Sequence, residues 1–167
     1  LSIVEFGVTT GGQVLSLIFQ NGICADLDVA GAKITVVSED ICLADAGTLT
    51  ADMAPVTLQG DSATISASPN GDRVVPNNYE VLFVLTSGSD LVIEAVNATP
   101  NFTVADTGLY TIHTLVAELS DDTSPNFVDL SVVEFGTTTG VDVVNLLLQN
   151  ELCADLDAVG APINVIP

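Results

Sequence analysis

The chain says one thing twice. "IVEFGVTTGGQVLSLIFQNGICADLDVAGAK" runs from Ile3 to Lys33, and "VVEFGTTTGVDVVNLLLQNELCADLDAVGAP" runs from Val132 to Pro162. The two align without a gap. Residue n matches residue n + 129 from Leu1/Leu130 to Val37/Ile166, and 22 of these 37 pairs are identical. A repeat constrains the fold more than any other feature, because it sets the size of the unit that must fold. A period of 129 is too long for a solenoid unit of ~20–50 residues. It suits a whole globular domain, commonly ~100–150 residues. Residues 1–37 are therefore expected to be the C-terminal part of a preceding repeat, and 38–167 one complete repeat. The match stops where the chain stops, the pattern expected of a piece of a longer tandem array.

Composition narrows the partners. Only Lys33 and Arg73 are basic, against 22 acidic residues, for a net charge of −20. Nucleic-acid binding needs a basic footprint and is excluded on this reading. Docking on an anionic membrane surface is disfavoured for the same reason. No apolar run reaches the ~18–20 residues of a membrane span, so membrane insertion is not expected. So much like charge favours solubility and mutual repulsion of neighbours.

The complete repeat reads as all-β. Short apolar runs alternate with Gly, Pro, Asn and Asp clusters. "AGTLTA" (46–51) is a first short strand, and "SATISAS" (62–68) alternates apolar and polar residues as a half-buried strand does. "YEVLFVLT" (79–86) is almost wholly apolar, which suits a central strand covered on both faces. "LVIEAV" (91–96), "FTV" (102–104), "GLYTIHTLVAEL" (108–119) and "FVDLSVVEF" (127–135) follow, with 127–135 expected as the last long strand. After it, "TTGVDVVNLLLQN" carries helix-start signals, Thr138 or Thr139 as N-cap and Asp142 in the first turn. Val143, Leu146 and Leu147 then fall at helical spacing. A short appended helix is expected, lying over a sheet end or against the next domain, followed by a terminal strand "PINVI" (162–166).

"ADTGLYTI" resembles the D-x-G-x-Y signature that opens strand F of immunoglobulin-like domains. Asp106, Gly108 and Tyr110 hold the signature positions, and Ile112 stands where antibody domains place a core cysteine. The resemblance implies an Ig-like β-sandwich without a core disulfide, its Tyr110 hydroxyl tied back to the backbone.

Of three cysteines, Cys153 is the repeat of Cys24. Cys24 and Cys42 are then the natural disulfide, with Cys153 paired outside the window. Such a bond would bridge the junction between domains and spare the segment 25–41 from tension. Two free buried thiols are the alternative.

Candidate sites are sparse. "DLD" occurs twice, as Asp26/Asp28 and Asp155/Asp157. In extended backbone such pairs share one face and offer oxygen ligands to Ca²⁺, or else they are solvated residues at a helix end. His113 is the only histidine, expected to be partly exposed on the long strand, opposite Tyr110 and Ile112. One histidine without a nucleophile beside it makes no catalytic arrangement, and no pair of carboxylates stands out, so no enzyme is expected. "DSA" resembles a short O-glycosylation sequon of Bacteroidota, with Ser62 as acceptor. "NAT" and "NFT" match the N-glycosylation pattern at Asn97 and Asn101.

"NATPNFTVADTGLYTIHTLVAEL" and "LSVVEFGTTTG" together resemble the tandem modules of giant surface adhesins and fibres of Bacteroidota. These include gliding adhesins exported by type IX secretion. The resemblance spans the whole period. It implies a cell-surface, extracellular structural module giving reach and tensile strength, with neighbouring repeats of the same chain as its partners. Two alternatives remain. One is a module that binds glycan or protein by multivalency. The other is a laterally associating filament subunit.

Overall fold

The computed structural model describes residues 8–25, 27, 28, 31, 34 and 42–167. The chain divides into two compact units, Leu1–Asp40 and Ile41–Pro167.

In the first unit the described structure centres on helix α1 (Gly11–Gln20). Thr10 accepts from the Gln13 amide, and the Gln13 side chain accepts from Thr10, a reciprocal capping box that satisfies two otherwise orphaned donors. Asn21 closes the other end, its side chain donating to the Leu17 carbonyl at 2.8 Å.

The second unit is mostly β-sheet. Its strands are β1 (Leu49–Ala51), β2 (Val56–Thr57), β3 (Ala63–Pro69), β4 (Glu80–Ser87), β5 (Val92–Asn97), β6 (Asn101–Val104), β7 (Gly108–Ala117), β8 (Asp155–Leu156) and β9 (Ala161–Ile166). Helix α2 (Gly140–Gln149) lies between β7 and β8. One sheet has the order β1-β3-β6, and the other β2-β9-β7-β4-β5, with β8 continuing alongside β7. All neighbours run antiparallel except β2 and β9.

Alternation along the strands sets two cores. Ala63, Ile65 and Ala67 of β3, with Phe102 and Val104 of β6, meet Phe83, Leu85, Ile112 and Ile163 of the larger sheet. This is the stacking of a β-sandwich, side chains of both inner faces interdigitating. The outer face of the larger sheet is also covered. Val84, Ile93, Leu115 and Ala117 pack against Val143 and Leu147 of α2 and against Val128. That explains why β4 reads as an almost wholly apolar run and why β7 is buried without a break from Thr111 to Ala117: each is covered on two sides.

The helix is therefore not at a sheet end. It rides on the outer face of the larger sheet, inside an insertion that precedes the final strand β9. The stretch 127–135, expected as a strand, is instead loop and a 3-10 turn, Leu130–Val132, capped by the Asp129 carboxylate on the Ser131 amide at 2.9 Å. Val128, Leu130 and Val133 pack into the second core, and that burial gives the stretch its strand-like pattern.

The insertion also closes a sheet edge. Gly136 N–H donates to the Ile93 carbonyl at 2.8 Å, Ile93 N–H to Thr138 O at 2.8 Å, and Gly140 N–H to Leu91 O at 2.9 Å. These bonds occupy the outward backbone groups at the start of β5, the last strand in its sheet, where they would otherwise be open for pairing.

Helix α2 matches α1 in detail. Thr139 and Asp142 form its capping box, and Asn150 donates to Leu146 O at 2.8 Å. Both helices end alike. Glu151, with φ +52, and Gly22, with φ +60, take the left-handed position, and the next residues, Leu152 and Ile23, donate back to Leu147 O and Ile18 O.

Candidate functional site

Two places concentrate chemistry in the second unit. The first is a clasp at the beginning of the fold. Cys42 is disulfide-bonded to Cys153, with Cα atoms 5.1 Å apart and 111 residues between them in sequence. Cys24, expected to be the partner of Cys42, is an exposed free thiol. The correction follows from topology. The insertion after α2 brings Cys153 back beside the start of its own unit, so the bond closes a module on itself instead of joining two.

Polar contacts reinforce the clasp. The Asp155 carboxylate accepts the Ala46 amide at 2.8 Å, and Cys153 N–H donates to Asn126 Oδ1 at 3.1 Å. Asp45 exchanges backbone hydrogen bonds with Val74, both at 3.0 Å.

The second place is an apolar cavity of about 330 Å³ between α2 and the larger sheet. Val84, Thr86, His113 and Leu115 form its floor, Val143 and Val144 one wall, and Leu91, Phe135 and Val141 its mouth. Phe135 is 60% exposed there.

His113 was expected to be partly exposed, but it is 3% exposed. It lies on the face opposite Ile112, where α2 and the loop before β9 cover it. Its Nδ1 lies 2.7 Å from the Asp157 carbonyl. A carbonyl only accepts, so the proton sits on Nδ1. Nε2 is then the acceptor, and Thr86 Oγ1 donates to it at 3.0 Å. Burial pushes the ring's pKa below its ordinary value, and the contact with Asp157 opposes that only in part. The ring is a neutral spacer in an apolar layer, with both nitrogens committed.

Gly160 completes this corner. Its φ is +60, and a Cβ there would come within 2.7 Å of His113 Nδ1, Ile112 O and Thr111 Cγ2. The Asp157 carboxylate accepts from Val159 N–H at 3.2 Å and Gly160 N–H at 3.0 Å. Asp28 and Gly31 form the equivalent bond in the first unit at 3.1 Å.

Asp155 and Asp157 thus serve separate backbone donors. Asp26 lies outside the described residues. Among the described residues, no group of three or more His, Cys, Asp or Glu is gathered as a metal site, and no helix is long and apolar enough to cross a membrane. Tyr110 O–H donates to the Asp106 carbonyl at 3.2 Å, tying the start of β7 to the turn before it. Ser62 is exposed in the tight turn where Gln59 N–H donates to its carbonyl at 2.8 Å. Asn97 and Asn101 bracket another exposed turn, the Asn97 side chain donating to Asn101 O at 3.0 Å.

Sequence reasoning missed the Cys42–Cys153 pair, the Thr86–His113 pair and the cavity. Only the buried character of 79–86 hinted at a third layer able to form that cavity. The chain matches no family model, no curated protein and no solved structure.

Proposed function

We propose that the chain is a structural repeat module of a long extracellular adhesin or fibre, built on an Ig-like sandwich and supplying reach and tensile strength. The observation that carries this reading is the coincidence of the 129-residue repeat with a disulfide that closes one module on itself. A protein that must be long benefits from many self-contained units. The disulfide also supports an oxidising compartment.

Three features support the Ig-like assignment. β1, β3 and β6 would be strands A, B and E, while β2, β9, β7, β4 and β5 would be A′, G, F, C and C′. β2 and β9 pair in parallel. The Tyr110 hydroxyl makes the backbone contact of a tyrosine corner. Surface adhesins of Bacteroidota remain the family proposed, on the sequence phrases alone.

The test is the shape and binding of a two-repeat protein. Small-angle scattering should give an extended monomer, and a glycan array should give no hit. A compact particle or stable oligomer would sink the spacer reading.

A second reading rests on the apolar cavity. A repeated module that took a small apolar ligand between α2 and the larger sheet would be a multivalent binder. Saturable displacement of a solvatochromic dye from the 167-residue chain would favour it, and displacement unchanged by Val143→Trp would remove it.

A further inference from the structure

We infer that the Cys42–Cys153 bond takes the body of the module out of the load path, making each module nearly inextensible. This deepens the fibre reading and rests on it for its biological meaning, although the mechanical property belongs to the module itself.

The bond closes residues 42–153 into one covalent ring. Tension arriving at Cys42 crosses to Cys153 and leaves through 154–167. Everything between the two cysteines, namely β1 to β7 and α2, is bypassed and can add no length. The Cys24–Cys42 pairing expected from sequence would have spared the junction. The observed pairing spares the module and leaves the junction loaded.

The segment left in the path is short and well placed. It runs antiparallel to β7 along that strand's length, from Asp155 opposite Val116 to Val165 opposite Gly108. The disulfide therefore sits towards one end of β7, and the chain leaves at the other. Load along this segment lies across its ladder, because interstrand hydrogen bonds stand perpendicular to the strands. Those bonds are sheared together and not unzipped in turn. The parallel pairing of β9 with β2 at Val56 and Thr57 adds a second flank.

Lengths set the expected signal. Residues 154–167 reach ~50 Å fully extended, while the folded ladder already spans ~30 Å. Straightening this segment adds only ~20 Å. Without the bond, unfolding from Cys42 to Pro167 releases ~400 Å. The difference is about twentyfold.

The experiment is force spectroscopy on the 167-residue chain held by handles at its two ends. The oxidised chain should show no step approaching ~400 Å. Adding reductant to the same folded molecule should restore that step, which avoids relying on the refolding of Cys42→Ser or Cys153→Ser variants. Cys24→Ala should leave the oxidised trace unchanged. A full-length step in the oxidised chain, or loss of the short trace in Cys24→Ala, would overturn the bypass while leaving the spacer reading intact. A glycan-array hit with no step approaching ~400 Å in the oxidised chain would do the reverse.

Discussion

The Nδ1 of His113 donates to the main-chain carbonyl of Asp157 across 2.7 Å. The contact joins the long strand β7 to the loop that feeds β9, and it fixes a neutral imidazole in an apolar layer. A buried base held neutral makes stability depend on pH in a defined direction.

The His113 ring titrates below its ordinary value of 6.5 in the folded state. Below that value the unfolded chain binds more protons than the folded one, so stability rises with pH through this window. The contribution is fully present above about pH 7 and is lost as pH falls through the folded-state pKa. Urea midpoints should hold steady above about pH 7 and decline below it, and His113→Gln should flatten the decline. Asp52, Asp72 and Asp142 are held below 3.8 by hydroxyl and backbone donors, so their losses begin at lower pH. An NMR titration that places the His113 pKa at or above 6.5 would reject this account.

Gly160→Ala should cost roughly 3 kcal/mol, combining a left-handed backbone with crowding against a packed neighbour. Gly88→Ala is the comparison, because Gly88 also has positive φ (+69) but nothing within 4 Å of the added Cβ. It should cost only about 1–2 kcal/mol. Equal losses in chemical denaturation would mean that the crowding at His113 is relieved by relaxation.

Leu147 and Leu148 are adjacent on α2, yet Leu147 is buried and Leu148 is 71% exposed. Leu147→Ala should therefore lose roughly 2–5 kcal/mol, and Leu148→Ala about 0.5 kcal/mol or less. Similar melting shifts for the two would place the helix differently on the sheet.

Glu151 holds a left-handed position that the other copy gives to Gly22. Glu151→Gly should stabilise the second unit by roughly 0.5–1 kcal/mol, since glycine adopts this cap without steric cost. A fall in the thermal midpoint would show that the Glu151 side chain contributes more than its backbone strain removes.

Reduction of Cys42–Cys153 should lower stability by up to about 4–5 kcal/mol, the chain-entropy value for a loop of this length. Cys24→Ala should change the stability of the second unit, read from urea unfolding, by no more than about 0.5 kcal/mol. Insensitivity to reductant would remove the clasp as a stabilising element.

Much of this was legible before the structure. Period-2 alternation marked β3, and the unbroken apolar run marked β4 as a strand covered twice. Thr138 or Thr139, with Asp142, marked the start of α2, and Thr139 is the cap. What failed was long-range. Val128, Leu130 and Val133 look like a strand because they face a core, but a stretch can face a core from an irregular loop. Cys24 looked like the partner of Cys42 because the two are close in sequence. Proximity in space is set by the return of the chain after α2, which no local pattern encodes. The burial of His113 was missed for the same reason: its cover comes from α2 and from the loop before β9, both distant in sequence.

The loop laid on β5 has a consequence beyond its own sheet. On the proposed fibre reading, many such strongly acidic modules would stand side by side. Where two modules touched, charge would push them apart, and at the start of β5 a neighbour would find the Ile93 backbone groups already taken. Charge and the covered start of β5 both act against edge-to-edge pairing of one module with its neighbour.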